Sequence, residues 1–166
     1  MSRLSREEDR DLPQIDMREI SGCTCLRVRR SARALTAAYD ALLAPLGLTI
    51  NQFGLLAHLH GAGQAGKERV SIGRLAELIG ADPTTLNRSL KPLIAQRLVA
   101  DGADPQDRRV RTIGITEAGS RRLAAAVGPW RQAQASVERE LGREDTANLN
   151  ALLDKVGLAK GKEREA

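Results

Sequence analysis

Residues 72–119 read IGRLAELIGADPTTLNRSLKPLIAQRLVADGADPQDRRVRTIGITEAG, and the order of signals within them sets the architecture of the chain. Ser71 stands where its hydroxyl caps a helix running to Ile79, and Gly80 stops it. Asp82 followed by Pro83 is a second strong start, a side-chain acceptor ahead of a residue that needs no helical N–H. A helix is expected from there to about Leu98. Two short helices joined by the turn Gly80, Ala81, Asp82 match the helix-turn-helix plan. The pattern then changes. Val99 and Ala100 lead into DGADPQDRR, rich in turn residues, and the alternating, β-branched VRTIGIT follows. This reads as a two-stranded hairpin with a charged tip, and Val70 is expected in a short strand of its own.

The second of the two helices divides cleanly by angle. At about 100° per residue, Leu86, Leu90, Leu93, Ile94 and Leu98 fall within a sector of about 140°. Thr85, Arg88 and Pro92 lie opposite its centre, with Thr84 and Lys91 to either side. Asn87 sits at the edge of the apolar sector. A recognition helix reads base edges in the major groove with its N-terminal residues, and arginine can bond guanine bidentately. Threonines reach phosphates or thymine methyls. The bland reading is an ordinary solvated amphipathic helix. The hairpin tip supplies a second signal, because Arg108 and Arg109 beside Asp107 form a wing able to place arginine in a narrow minor groove. Asp107 suits such a face only if it pairs with a neighbouring arginine and so holds the loop. Residues 84–111 hold six cations (Arg88, Lys91, Arg97, Arg108, Arg109, Arg111) against three acids (Asp101, Asp104, Asp107). That local excess of three is more than half of the whole chain's +5.

Outward from this segment, a long helix is expected from about Asp16 to Ala44, with Val28, Leu35, Tyr39 and Leu42 as its apolar stripe. Asp16 and Glu19 resemble a capping box, and Gly22 weakens the first turns. Thr49 with Gln52 caps another helix over about 50–60, and Leu48 and Phe53 flank that cap at hydrophobic-staple spacing. Thr116 and Glu117 restart a helix to about Leu141, with Leu123, Val127, Trp130, Val137 and Leu141 on one stripe. Gly128 and Pro129 predict a kink or break in it. A last helix spans about Glu144 to Val156, where Gly157 stops it. The expected domains are a flexible arm (1–15), dimerisation helices (16–48 and 117–158), a DNA-binding lobe (49–116) and a flexible tail (159–166).

Composition narrows the classes further. The chain has 166 residues, one domain's worth, with 42% hydrophobic residues and a pI near 9.8. Its three aromatics, Tyr39, Phe53 and Trp130, imply an aliphatic core and argue against an RNA-recognition sheet or a single-strand binder, which stack bases on aromatics. No run approaches a membrane span and the N-terminus lacks an apolar signal core, so a cytoplasmic location is expected, with no membrane partner. Cys23 and Cys25, taken as two residues apart on one helix, diverge too far to bridge.

This order of parts resembles the MarR family of bacterial transcription regulators (multiple antibiotic resistance regulators) over about residues 18–158, most strongly in the quoted stretch. The resemblance implies a mainly α fold with a small β-hairpin wing, a winged helix-turn-helix flanked by N- and C-terminal dimerisation helices. It implies an obligate homodimer on a double-stranded, pseudo-palindromic DNA operator, with Thr84, Thr85, Asn87, Arg88 and Lys91 as recognition-helix contacts. The wing pattern Asp-x-Arg falls on Asp107 and Arg109, with Arg109 as the minor-groove residue and Arg108 beside it. Two departures stand out: Arg97 occupies the place where the family often has glycine, and Pro92 lies inside the recognition helix. Apolar stripes at opposite ends of a small winged domain also favour burial against a second copy. Two recognition helices would then meet successive major grooves about 34 Å apart.

Family members often release DNA when a small aromatic ligand binds, which implies a repressor with a small-molecule effector. Tyr39, Phe53, His58 and Trp130 are candidates to line that cleft, with ordinary core or surface as the competing reading. A hydroperoxide-sensing branch places one reactive cysteine near the start of the first helix, where Cys25 stands, with Tyr39 fourteen residues on. That branch also has a tyrosine where this chain has Arg29. A peroxide or redox sensor acting through Cys25, and an architectural DNA-binding protein that senses nothing, are the alternatives. His58 and His60 face differently on a helix and make a poor metal pair. No phosphate loop, ligand cluster or nucleophile–base pairing is evident, so no enzyme activity, metal or cofactor is expected.

Overall fold

The computed structural model of the chain describes residues 16–66 and 68–162, with side chains described as far as residue 156. The expected arm (1–15) and the end of the tail (163–166) lie outside the described residues. Contacts divide the chain into two compact units, one up to Thr36 and one from Ala37 onward.

The first unit holds α1 (Met17–Ser21) and the beginning of α2 (Thr24–Leu43). Where one helix was expected, the chain breaks at Gly22 and Cys23. The N–H of Gly22 is shared between the carbonyls of Arg18 and Glu19, each at 3.1 Å, and the Cys23 N–H turns back to Ile20 at 3.0 Å. A glycine at that point loses the most conformational freedom by staying helical, so the last turn tightens and ends there. Asp16 does cap α1, through the N–H of Arg18 at 2.8 Å. Cys23 lies in the break, so the angular argument against a Cys23–Cys25 bridge, which assumed one continuous helix, does not apply.

The second unit contains the rest of α2, a 3₁₀ turn (Ala44–Leu46), α3 (Ile50–Gln64), β1 (Val70–Ser71), α4 (Ile72–Ile79) and α5 (Pro83–Ala95). It continues through β2 (Val99–Ala103), β3 (Arg111–Ile115), α6 (Glu117–Leu141) and α7 (Arg143–Lys162). The result is mainly helical with a small antiparallel sheet, the expected winged arrangement. Val70 pairs with Ile113, so β1 joins the wing hairpin and the strand order is β1-β3-β2. The core is aliphatic, as the lack of aromatics requires. Among the described residues its most deeply buried large side chains are eight leucines and Ile113. They come from five elements: Leu43 on α2, Leu55, Leu56 and Leu59 on α3, Leu75 on α4, Leu86, Leu90 and Leu93 on α5, and Ile113 on β3. The cap of α3 forms as a reciprocal box between Thr49 and Gln52, and both staple residues, Leu48 and Phe53, are buried.

Four further features differ from the sequence reading. Helix α3 continues to Gln64 through Gly61 and Gly63, because Ala62 packs on the core. Helix α6 is unbroken across Gly128 and Pro129. Proline removes one ladder bond, but Leu123 and Ala126 before it and Ala133 after it are all buried and anchor both halves, so the helix does not break there. Helix α7 passes through Gly157 and Gly161 to Lys162, overlapping the expected tail; an interior glycine costs about 1 kcal/mol relative to alanine, a weak stop signal on its own.

The fourth difference carries the most structure. Helix α5 ends at Ala95 rather than Leu98, since Arg97 adopts the left-handed conformation at φ +57°. The Leu98 N–H bonds the Leu93 carbonyl and the Arg97 N–H bonds that of Ile94, both at 2.9 Å, which is the Schellman pattern. An arginine thus occupies a position that glycine fills without strain. Immediately beyond, Gly119 of α6 packs so closely on Leu98 that an added Cβ would lie 2.0 Å from the Leu98 carbonyl oxygen. These two positions should respond oppositely in thermal and urea denaturation. Arg97→Gly should stabilise the protein by about 0.5–1 kcal/mol, the left-handed penalty less the cost of a freer unfolded chain. Gly119→Ala should destabilise it by about 1–3 kcal/mol, because the clash is with backbone that has nowhere to go.

Candidate nucleic-acid interface

The polar face of α5 begins with its cap. Asp82 Oδ1 accepts the Thr85 N–H at 2.9 Å, and the Thr85 side chain, followed by its backbone N–H, holds the Asp82 carboxyl below its ordinary range. Pro83 follows at the first helical position. Thr84, Thr85, Arg88 and Lys91 are all exposed on the helix that results. Opposite them Leu86, Leu90 and Leu93 are fully buried, so the face is held outward by the core rather than by any polar contact. Arg88 and Lys91 have no ion-pair partner among the described residues.

The wing is organised by its carboxylates. Asp104 Oδ1 accepts the N–H of Gln106 at 2.8 Å and that of Asp107 at 3.4 Å, while backbone bonds Asp104 to Val110 and Val110 to Asp107 close the loop. Asp107 then receives three bonds from Arg109: the backbone N–H at 3.0 Å, Nε at 3.1 Å and Nη2 at 3.3 Å. Those bonds hold the Asp107 carboxyl down. The expected Asp107–arginine pairing is therefore present, and it is made by Arg109 itself. The arginine side chain nevertheless stays 92% exposed, oriented at the tip instead of folded onto the protein. Arg108 beside it is exposed.

Helix and wing meet through a residue that sequence analysis counted only as charge. Arg111, at the start of β3, gives its Nε and Nη2 to Asp101 of β2, the shortest of these bonds being 2.6 Å. Its Nη1 reaches across to Asn87 Oδ1 of α5 at 2.5 Å. Asn87 gives its own amide to the Pro83 carbonyl at 2.9 Å. It is therefore half-buried between helix and wing, unlike the four exposed α5 residues. Arg69 was missed altogether. Its guanidinium lies across the sheet, bonding Thr112 Oγ1 at 2.9 Å and the carbonyls of Ala100 and Thr112 at 3.1 Å. Gly102 and Gly114 leave the room: a Cβ on Gly102 would fall 2.5 Å from Arg69 Nη2. Two glycines in facing strands were the available signal.

With this geometry in place, comparison with known proteins is decisive. A family model described as MarR family matches residues 46–110. The M. tuberculosis transcriptional regulator MosR, in a structure with DNA, is 36% identical, with 81% of this chain and 98% of that one covered at a TM-score of 0.65. The chain belongs to the MarR family. At lower identity the fold alone is shared with a mutant of E. coli MarR bound to operator DNA (20%; 86% and 99% covered; TM-score 0.73). The same holds for B. bronchiseptica BpsR, whose DNA binding is regulated by 6-hydroxynicotinic acid (22%; 87% and 98% covered; TM-score 0.74). No curated protein sequence matches the chain. As a MarR-family member it is a DNA-binding transcriptional regulator.

Of the four cleft candidates in this MarR-family chain, Phe53 and Trp130 come together, their rings stacked with centroids 5.8 Å apart and Phe53 in the core. Tyr39 donates to Gln134 Oε1 of α6 at 2.7 Å; burial, with Glu138 nearby, raises its phenol above the ordinary value. His58 lies apart, exposed on α3, where it lines two neighbouring grooves of about 560 and 370 Å³ together with Leu78. Among the described residues no single helix is long and apolar enough to cross a membrane.

The cap of α5 offers a direct test by pH. Asp82 has a lowered native pKa, so its contribution to stability is complete above the unfolded value of about 3.9 and disappears as pH falls through the lower native value. In urea titrations Asp82→Ala should be less stable than wild type by a constant margin from pH 5 to 8. That margin should narrow below about pH 4.

Proposed function

We propose that a homodimer of this chain represses transcription by gripping a pseudo-palindromic operator and is released from it by a small aromatic effector. Thr84, Thr85, Arg88 and Lys91 of α5 enter the major groove, and Arg109, with Arg108 beside it, enters the adjacent minor groove. The observation that carries this reading is the Arg111–Asn87 bond, which joins the base of the wing to the N-terminal half of α5. The exposed cations of both elements thereby flank a single contact, as simultaneous engagement of two neighbouring grooves demands. Protein action is binding, not catalysis, and its place is the cytoplasm.

The dimer is supported by apolar side chains near both ends of the described chain that stand exposed among the described residues. Met17, Leu26 and Val28 are exposed near the start, and Leu141, Leu152 and Val156 near the end. Patches of this kind mark interaction surfaces, and closed two-fold symmetry satisfies both sets at once. For the effector, the half-buried Tyr39 and Trp130 are the chemistry suited to an aromatic ring. BpsR, with the same fold, responds to an aromatic acid.

Operator duplexes selected from a random DNA pool provide the test. Wild type should bind with two chains per duplex in sedimentation, and Arg88→Ala should lose roughly 1–3 kcal/mol while its preference relaxes at one base position. Equal weakening on every sequence would move Arg88 to the phosphates. Arg109→Ala should lose affinity at physiological salt; an unchanged affinity would remove the minor-groove role.

A second reading rests on Cys25, which is exposed in the first turn of α2 and so open to oxidants in the free chain. On this reading peroxide oxidises the thiol and operator affinity drops. Cumene hydroperoxide should then weaken binding by wild type but leave Cys25→Ser unchanged. An unaltered wild-type affinity removes the reading.

A further inference from the structure

We propose that Arg111 is a positioning residue, an internal brace that sets the wing at a fixed distance from α5, and that Asp101, an acid on a face meant for a polyanion, strengthens DNA binding. The inference rests on the operator-binding reading above and goes beyond it by dividing the cations of that face into those that touch DNA and one that does not.

The geometry makes the division. Three N–H groups of Arg111 are committed within the protein, two to the Asp101 carboxylate and one to Asn87 Oδ1. The fork-on-carboxylate arrangement is planar and directional, so it fixes the guanidinium in orientation as well as place. From that fixed seat the remaining arm reaches α5. Arg88, Lys91 and Arg108 differ in kind, being exposed and free of ion-pair partners among the described residues. Asp101 also carries the cost that makes its presence informative. A carboxylate near phosphate oxygens repels them, so a purely electrostatic surface is better without it. The hydrogen bonds and charge of Arg111, with a smaller contribution from the Arg69 guanidinium on the same sheet, lower the Asp101 pKa and so favour the ionised partner the brace needs. Asn87, expected from the family resemblance to contact DNA, is on this account the helix-side end of the brace. Its oxygen accepts from Arg111 and one of its two amide N–H groups donates to the Pro83 carbonyl, which fixes the side chain between helix and wing.

A wing held this way approaches the minor groove at a set spacing from the recognition helix. Without the brace the loop retains its own Asp107–Arg109 pair but swings on β2 and β3, and the ordering lost in the free protein must be supplied on binding.

The test uses the full chain and a labelled operator duplex, with fluorescence anisotropy at several salt concentrations. Asp101→Asn should weaken binding roughly threefold or more, although it removes a negative charge, a size discounted for the pair's partial exposure. Arg111→Lys keeps the charge but not the fork, and should fall with Arg111→Gln rather than with wild type. The Asp101→Asn, Arg111→Gln double variant should be no worse than either single variant, since both break one unit. The salt slope should stay at the wild-type value throughout. In the free protein, the Arg111 Nε proton should be protected from solvent exchange by NMR in wild type and unprotected in Asp101→Asn.

A contacting arginine gives the reverse set. Asp101→Asn then binds more tightly, Arg111→Lys retains affinity, and Arg111→Gln loses about 0.9 from the salt slope. Any of these outcomes, or an unprotected Nε proton in wild type, overturns the brace while leaving the operator reading intact. Failure of wild type to prefer any duplex, with Arg88→Ala indistinguishable from it, overturns the operator reading and this inference with it.

Discussion

The carbonyl of Leu98 is where the lobe is tied together. It accepts the backbone N–H of Thr116 at 3.1 Å and the Thr116 hydroxyl at 3.1 Å, while the same hydroxyl also bonds the Arg97 carbonyl at 2.8 Å. Thr116 Oγ1 in turn accepts the Gly119 N–H at 3.0 Å as the cap of α6, and Gly119 has no side chain to hold the two segments apart. Four elements converge on this point: the end of α5, the start of β2, the end of β3 and the start of α6. Its rigidity requires the left-handed turn at Arg97, because only that turn delivers Leu98 from the helix into the strand with its carbonyl facing Thr116. The start of α6 is thereby tied directly to the end of α5.

The candidate DNA face is built on a division of labour between charges. Each of its four carboxylates has a local structural task. Asp82 caps α5, Asp104 closes the wing loop, Asp107 orients Arg109 and Asp101 seats Arg111. None of them is left as a free negative charge facing outward. Arg88, Lys91 and Arg108 have no such engagement among the described residues, and Arg109, although paired with Asp107, remains solvent-facing. A basic surface can therefore carry several acids without losing its attraction for phosphate, provided those acids are spent on shape.

Much of this was legible in the chain itself. The caps at Thr49, Ser71, Asp82 and Thr116 are short-range chemistry, an acceptor two or three residues ahead of an unsatisfied N–H, and each forms as its local sequence requires. The outward placement of Thr84, Thr85, Arg88 and Lys91 follows from helical period alone, since burying the leucines leaves them no other direction. The pairing of Asp107 with an arginine was likewise readable, because both partners lie in one tight loop.

What escaped was set by packing between distant segments. The break at Gly22 and the survival of α6 across Pro129 have the same explanation with opposite outcomes. A weak helical residue ends a helix in α1, where no residue is buried, and is overruled in α6, where Leu123, Ala126 and Ala133 are anchored on both sides. The Arg111–Asn87 bond spans 24 residues and the Arg69–Thr112 bond 43, and no spacing rule reaches that far. Local chemistry thus settles where helices start and which way their faces turn, because it acts within one turn of chain. Which arginine braces and which one is left to meet a partner depends on what the folded chain brings alongside it, and that is known only once the sheet and α5 are packed together.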